Sequence, residues 1–418
     1  MNSPRRNRRA RRAPWALAGV LALLSVVAVA PAGATGAGGL ALRVVASGLA
    51  NPKHLTIAPN GQVDIVESGL GGATGTANCA TGPSTGGTGT TSYCEGPTGA
   101  IASWSPATGL VTRVRALPSV IETDIGEAAG PAAVAFARGS TAIVFQDELV
   151  GPTGANTLTG PAATTFGTLE IFTGGHRHVV NLAAFAASHP QAAATLGGPP
   201  HAETTYDSDP YDVVPYLNGF AVVDAAANDL LFVSASGAVS VLARFPTVAQ
   251  PVPAGALGNP TAITIDGQAV PTAVVVGPDG ALYVSTLSGV PSEPGTARVY
   301  RVTLGSAPTV YATGLTAVTA LAFDGSTLLA TEYSTGGLLA PPTVPGALVA
   351  IAPNGHETTL PLAGLVDPTG IAVAPNGVIL IANHGSAPSA QGQLVEVTGS
   401  ASGLSPAFGG FSWQWGVS

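Results

Sequence analysis

Between residues 41 and 398, short apolar runs alternate with polar turns, and the alternation recurs about six times. Each unit has a first apolar run, a turn at glycine, and a second apolar run closing on a polar residue. The first copy reads NPKHLTIAPNGQVDIVES from Asn51, the fourth VPTAVVVGPDGALYVST from Val270, and the sixth DPTGIAVAPNGVILIANHG from Asp367. The turn glycines are Gly61, Gly139, Gly219, Gly280, Gly325 and Gly377, each after Asn, Asp or Arg. A tight strand reversal at positive φ favours those residues. Runs this short are strands rather than helices. Repeats of several strands each predict an all-β fold, a six-bladed β-propeller in which every blade covers its neighbour's apolar face.

The unit predicts four strands, a to d from the channel outward. Pro52, Pro131, Pro210, Pro271 and Pro368 open inner strands. In the fourth unit the strands are expected at Ala273–Val276, Leu282–Ser285, Arg298–Val302 and Thr309–Ala312. The third, fifth and second units follow the same plan, the second with a long b–c connection from Asp147 to Thr168. The sixth supplies only three strands, ending at Gln393–Val397. A spare strand, Ala41–Ala46, precedes the first unit. It is expected to serve as strand d of the last blade and so to close the ring, protecting edges that an open sheet would expose.

The segment before the repeats has a different character. Six arginines between Arg5 and Arg12 precede an apolar run from Trp15 to Ala30 and a small-residue site at Ala32-Gly33-Ala34. This pattern predicts a signal peptide over 1–34, a linker over 35–40, the propeller over 41–398 and a tail over 399–418. Removing the leader takes six of 15 basic residues and none of 23 acidic ones, leaving a net charge of −14 against −8 for the whole chain. That charge disfavours nucleic acid and anionic lipid as partners. The reading is a secreted or extracytoplasmic monomer. Cys79 and Cys94 bracket a Gly/Thr-rich stretch, and export favours their pairing as a disulfide. Such a bridge restricts a lid over the channel mouth.

Candidate chemistry collects at the ends of strand b: Glu67, Gln146, Asp224, Ser285, Glu332 and Asn383. Equivalent positions in a propeller point to one end of the channel. The d–a connections on that face add Lys53, His54, Asp209, Asp212 and Asp367. Glu67, Asp224, Glu332 and Asn383 offer oxygen ligands for a hard cation such as Ca²⁺; alternatively, such side chains cap inner strands and hold channel water. His54 and His384 lie in blades that closure makes neighbours. With Glu67 they offer a zinc site or a base and its orienter. Gly82-Pro83-Ser84-Thr85-Gly86 matches G-x-S-x-G but lacks the strand and helix of a nucleophile elbow.

VVDAAANDLLFVSASGAVSVLARF from Val222 and ALYVSTLSGVPSEPGTARVYRV from Ala281, with CEGPTGA at Cys94 and YDSDPYDVV at Tyr206, resemble the ScyD/ScyE family. These are exported NHL-like proteins, and the resemblance runs from about Val44 to Val397. It implies a six-bladed propeller and supplies no catalytic residues. Two functions are therefore expected to compete. One is a binding or scaffolding module that holds a small molecule or protein on the polar channel face. The other is a metal-dependent lactonase-, hydrolase- or lyase-like enzyme with a Ca-type cation in the channel.

Overall fold

The computed structural model describes residues 39–399 except 74, 76–77, 84–89, 147–157, 159, 190–207, 253, 255–259 and 388. The expected leader, most of the linker, most of the 147–168 connection and the tail beyond Gly399 lie outside the described residues.

The described chain opens with β1 (Ala41–Leu49). The first repeat forms β2 (Pro52–Ile57), β3 (Val63–Glu67), β4 (Cys79–Pro83), β5 (Thr90–Ser105), β6 (Gly109–Glu122) and β7 (Glu127–Ala129). The second forms β8 (Pro131–Ala137), β9 (Ser140–Phe145), β10 (Thr168–Thr173) and β11 (His176–Asn181), followed by a short helix at Leu182–Ser188. The third forms β12 (Pro210–Tyr216), β13 (Gly219–Asp224), β14 (Asp229–Ser234) and β15 (Val239–Arg244). A hairpin of β16 (Val248–Val252) and β17 (Ile263–Gly267) comes next. The fourth repeat holds β18 (Pro271–Val276), β19 (Leu282–Thr286), β20 (Ala297–Val302) and β21 (Thr309–Leu315). The fifth holds β22 (Val318–Asp324), β23 (Thr327–Glu332), β24 (Ala347–Ile351) and β25 (Glu357–Thr359). The last holds β26 (Gly370–Val373), β27 (Ile379–Asn383) and β28 (Gly392–Thr398).

Strands pair antiparallel in chain order within each repeat. The sixth sheet runs β1-β28-β27-β26, so the N-terminal strand completes the C-terminal sheet, with Ala41 opposite Thr398 and Leu49 opposite Gly392. Each inner strand lies against the next: β2 against β8, β8 against β12, β12 against β18, β18 against β22, β22 against β26, and β26 against β2. Apolar clusters fill the spaces between neighbouring sheets. Leu231 and Val233 share one with Val144 and Leu169, and Leu55 and Ile65 share another with Leu380 and Leu394. Each fully buried Leu or Val contributes about 1.5–3 kcal/mol of transfer free energy. No helix among the described residues is long and apolar enough to cross a membrane.

Five of the six turn glycines adopt positive φ, from 58° at Gly325 to 82° at Gly377. Gly219 does not; the left-handed residue of its turn is Leu217. A Cβ at Gly219 would stand 2.1 Å from the Val233 carbonyl oxygen, so close approach is what requires glycine there.

The first sheet is larger than the repeat predicts. The second half of β5 pairs with β3, ending at Ala100 opposite Glu67, while its first half continues past that end and pairs with β4. β6 follows β5 along both halves, and β7 joins the far half of β6. A twisted flap therefore rises beyond the Glu67 end of the sheet. Cys79 and Cys94 are directly opposite in the β4–β5 ladder and form a disulfide.

Candidate functional site

The polar residues closing strand b are all buried, from Asp224 and Ser285 at 0% exposure to Glu67 at 7%. Four of them accept a backbone N–H from the segment entering their own inner strand. Glu67 Oε2 accepts from Ala50 at 2.6 Å, and Glu332 Oε1 from Thr316 at 2.7 Å. Asn383 Oδ1 accepts from Val366 at 2.8 Å, and Asp224 Oδ1 from Asp209 at 2.8 Å. In three repeats the next residue is left-handed without being glycine: Asn51 at φ 51°, Ala317 at 45° and Asp367 at 44°. A side chain disfavours that conformation. The strand-b acceptor therefore braces a strained turn and satisfies an otherwise orphaned buried donor. Burial raises Glu67, Asp224 and Glu332 above the usual carboxylate range, partly offset by these hydrogen bonds.

The expected cation set of Glu67, Asp224, Glu332 and Asn383 is not drawn together. Each is committed to its own repeat, and no three His, Cys, Asp or Glu among the described residues are placed to hold a metal. Ser285 meets the Thr272 hydroxyl at 3.3 Å, and Gln146 accepts from Ser68 at 3.3 Å. His54 turns to a partner other than the expected Glu67 and His384. Its Nε2 stands 3.2 Å from Asp212 Oδ1, a contact between β2 and β12. The equivalent residues of the other repeats are Ala133, Ala273, Ala320 and Gly370, all small. Asp212 also accepts the N–H groups of Val213 and Val274. His54 Nδ1 is buried without a partner among the described residues.

A cavity of about 480 Å³ gathers residues from all six repeats. Its wall includes Lys53, Tyr211, Thr272 and Thr369, each following the proline that opens its repeat, and Thr319, which follows Val318 at the equivalent place. The threonines also tie sheets together. Thr272 donates to the Val318 carbonyl at 2.6 Å, Thr319 to Pro368 at 2.7 Å, and Thr369 to Pro52. Ser68 donates to Pro131 at 3.0 Å. In each case the acceptor lies at or just before the start of the inner strand of the following sheet, and for Thr369 that is the first.

Of the expected channel-face residues, Lys53, Gln146 and Asp209 line this cavity. Tyr333, Ser386 and Glu127 also line it and carry no repeat signal in the sequence. Their loops enter from b–c connections and from the flap. Leu287, Val290, Leu338 and Ile125 add an apolar rim. Burial pushes the Tyr333 phenol up to about 12, and nearby Asp367 and Glu127 add to the shift. Tyr211 is raised further, first by burial and then by Asp209 and Glu127. Both phenols therefore stay protonated at neutral pH. Asp367 is raised by burial against the opposing pull of His384, Tyr333 and Lys53. His384 is left-handed, and its backbone N–H donates to Val366.

Lys53, the only lysine in the chain, is 4% exposed and lines the cavity. Its charge acts on Asp367, whose carboxyl it pulls down against the effect of burial.

No protein-family model matches the chain, and no curated protein matches it in sequence. Among solved structures it is similar to a glucose dehydrogenase, 13% identical over 86% of this chain and 99% of that one, with a TM-score of 0.48. It is also similar to virginiamycin B lyase from Staphylococcus aureus bound to quinupristin. There the identity is 11% over 86% and 98% of the two chains, at a TM-score of 0.46. Both are propeller-type proteins. Likeness at this level carries no chemistry over to the present site.

Proposed function

We propose that the chain is an exported six-bladed propeller, closed by β1, that binds a small molecule in the cavity over its channel. The succession of inner strands supports the blade count, and the cluster joining Leu55 to Leu394 supports closure. The arginine-led leader and the disulfide support export. The ScyD/ScyE-like segments fit the same architecture. One observation carries the binding role: all six repeats contribute to one cavity of about 480 Å³, whose wall holds Lys53 beside Gln146, Asp209 and Tyr211. Preformed concave sites with a few converging polar groups are where small ligands bind.

The test is a fragment screen by thermal shift on the wild type and on Val290→Trp, which places an indole at the exposed rim. Fragments that stabilise the wild type are expected to lose that effect in the variant. Equal stabilisation of both proteins would place binding elsewhere and refute the reading.

The His54–Asp212 pair gives a catalytic reading one specific observation: a carboxylate orients an imidazole whose second nitrogen has no partner among the described residues. That lactonase-, hydrolase- or lyase-like alternative predicts turnover that is lost in Asp212→Asn with ligand binding retained. It also predicts a gain in thermal stability on calcium titration if a Ca-type cation takes part.

A further inference from the structure

We infer that residues 411–417 add to the open edge of β1 as a fifth strand of the last sheet, covering an apolar strip that the described residues leave exposed. The segment beyond Gly399 has the composition for it. Residues 400–418 carry no charged side chain and four aromatic ones, Phe408, Phe411, Trp413 and Trp415. Segments that stay unfolded have the opposite character, rich in charge and poor in aromatic residues. From Phe411 the pattern alternates strictly. Phe411, Trp413, Trp415 and Val417 fall on one face of an extended chain, and Ser412, Gln414 and Gly416 on the other. Alternation of this kind predicts a half-buried strand.

The receiving edge has the matching form. Among the described strands β1 pairs with β28 alone, so its outer edge offers backbone N–H and C=O groups to an added strand. Leu42 and Val44 stand opposite Val397 and Val395, on the face that packs against the fifth sheet. The outer strand of that sheet, β25, has three residues where β11, β15 and β21 have six or seven. Beside this short strand Val44 is 53% exposed, and Leu42 and Leu362 are partly buried. The other face of β1 presents Arg43. A strand with its aromatic residues over Val44, and with Ser412 and Gln414 on the Arg43 side, matches both faces.

Position and length fit as well. Gly399 lies against the Gly39 carbonyl, beside the start of β1. Extended, residues 400–408 span about 30 Å, the length of the nine-residue β1. Gly409-Gly410 then supplies the turn that brings 411–417 back antiparallel to β1.

Hydrogen–deuterium exchange of peptides spanning β1, read by mass spectrometry, compares three proteins. They are the full chain, a chain ending at Ser405, and the full chain carrying Trp413→Ser with Trp415→Ser. A strand in place about nine-tenths of the time slows the amides it holds roughly tenfold. Both variants are expected to lose that factor at β1, while β2, β13 and β23 keep their protection. The double variant retains the length of the chain, so it decides the question if the shortened one folds poorly. Equal exchange of β1 in all three proteins overturns the inference. A loss of protection at β6 or β25 and not at β1 would put the segment on another edge, and overturns it too. Protection at β1 that vanishes when the full chain is diluted would show that the strand comes from a second copy, which overturns its addition within one chain.

Discussion

Leu49→Ala tests whether the first strand belongs to the cooperative core. Leu49 closes β1 at 1% exposure and shares a cluster with Leu55, Ile65 and Leu394, so it joins the first sheet to the last. Truncating a fully buried leucine costs about 2–5 kcal/mol, combining lost transfer free energy with the cavity left behind. Val44, on the same strand, is 53% exposed, and Val44→Ala is expected to cost less than about 0.5 kcal/mol. Urea unfolding followed by far-UV circular dichroism separates the two. With a slope of about 3 kcal/mol/M, Leu49→Ala should move the midpoint down by roughly 1 M while Val44→Ala stays near the wild type. If both variants unfold at the wild-type midpoint, β1 is a loosely attached strap and closure through it is wrong.

Thr369→Val removes the hydroxyl that donates to Pro52 and leaves a buried carbonyl unpaired, at a cost of about 1–3 kcal/mol. An unchanged melting temperature would show that this link adds nothing to joining the last and first repeats. Asp229 is held well above the usual carboxylate range, first by burial and then by Asp224, so the folded protein binds its proton more tightly than the unfolded chain does. Its contribution is complete below the unfolded pKa near 4 and is lost as pH rises through the higher folded value. Asp229→Asn should therefore flatten the fall in stability between pH 4 and 8, and an unaltered slope contradicts this. Replacing Cys79 and Cys94 with serine frees a 15-residue loop, whose crosslink is worth up to about 3 kcal/mol by chain entropy. Limited proteolysis should then cut between residues 79 and 94 while most amides of the repeats stay protected from exchange; loss of protection throughout would make the bridge essential to the whole fold.

The repeat was legible because strand period and turn glycine are local signals. Ala273–Val276 and Leu282–Ser285, expected from pattern alone, fall within β18 and β19. The polar closure of strand b was legible as a pattern, and capping of the inner strands was one of the two meanings expected for it. For Glu67 and Glu332 the ligand role stayed open beside capping because the sequence does not show the left-handed Asn51 and Ala317 whose turns they brace. Tyr333 and Ser386 were invisible because connecting loops carry them, outside any repeat register. His54 could be picked out by residue type, but its partner Asp212 comes from β12, two repeats further along the chain, and no spacing rule links them. The flap was missed for a similar reason. The β5–β6 pairing continues through the irregular register around Gly96 and Gly99, where an alternating pattern breaks although the ladder persists.

The pairing of β1 with β28 also bears on how the chain reaches its native state. Residues made first must wait for residues made about 350 positions later, and closing a loop of that length costs about 5 kcal/mol in chain entropy. Until then both partner strands present unpaired backbone, the condition under which chains associate with one another. The first and last of the repeat-forming strands meet at their outer limits, where Gly399 lies against the Gly39 carbonyl. A circular permutant that joins Gly39 to Gly399 and starts at Asn51 would turn the pairing of β1 with β28 into a local hairpin. The same contacts would remain, but their slowest encounter would become one of the fastest.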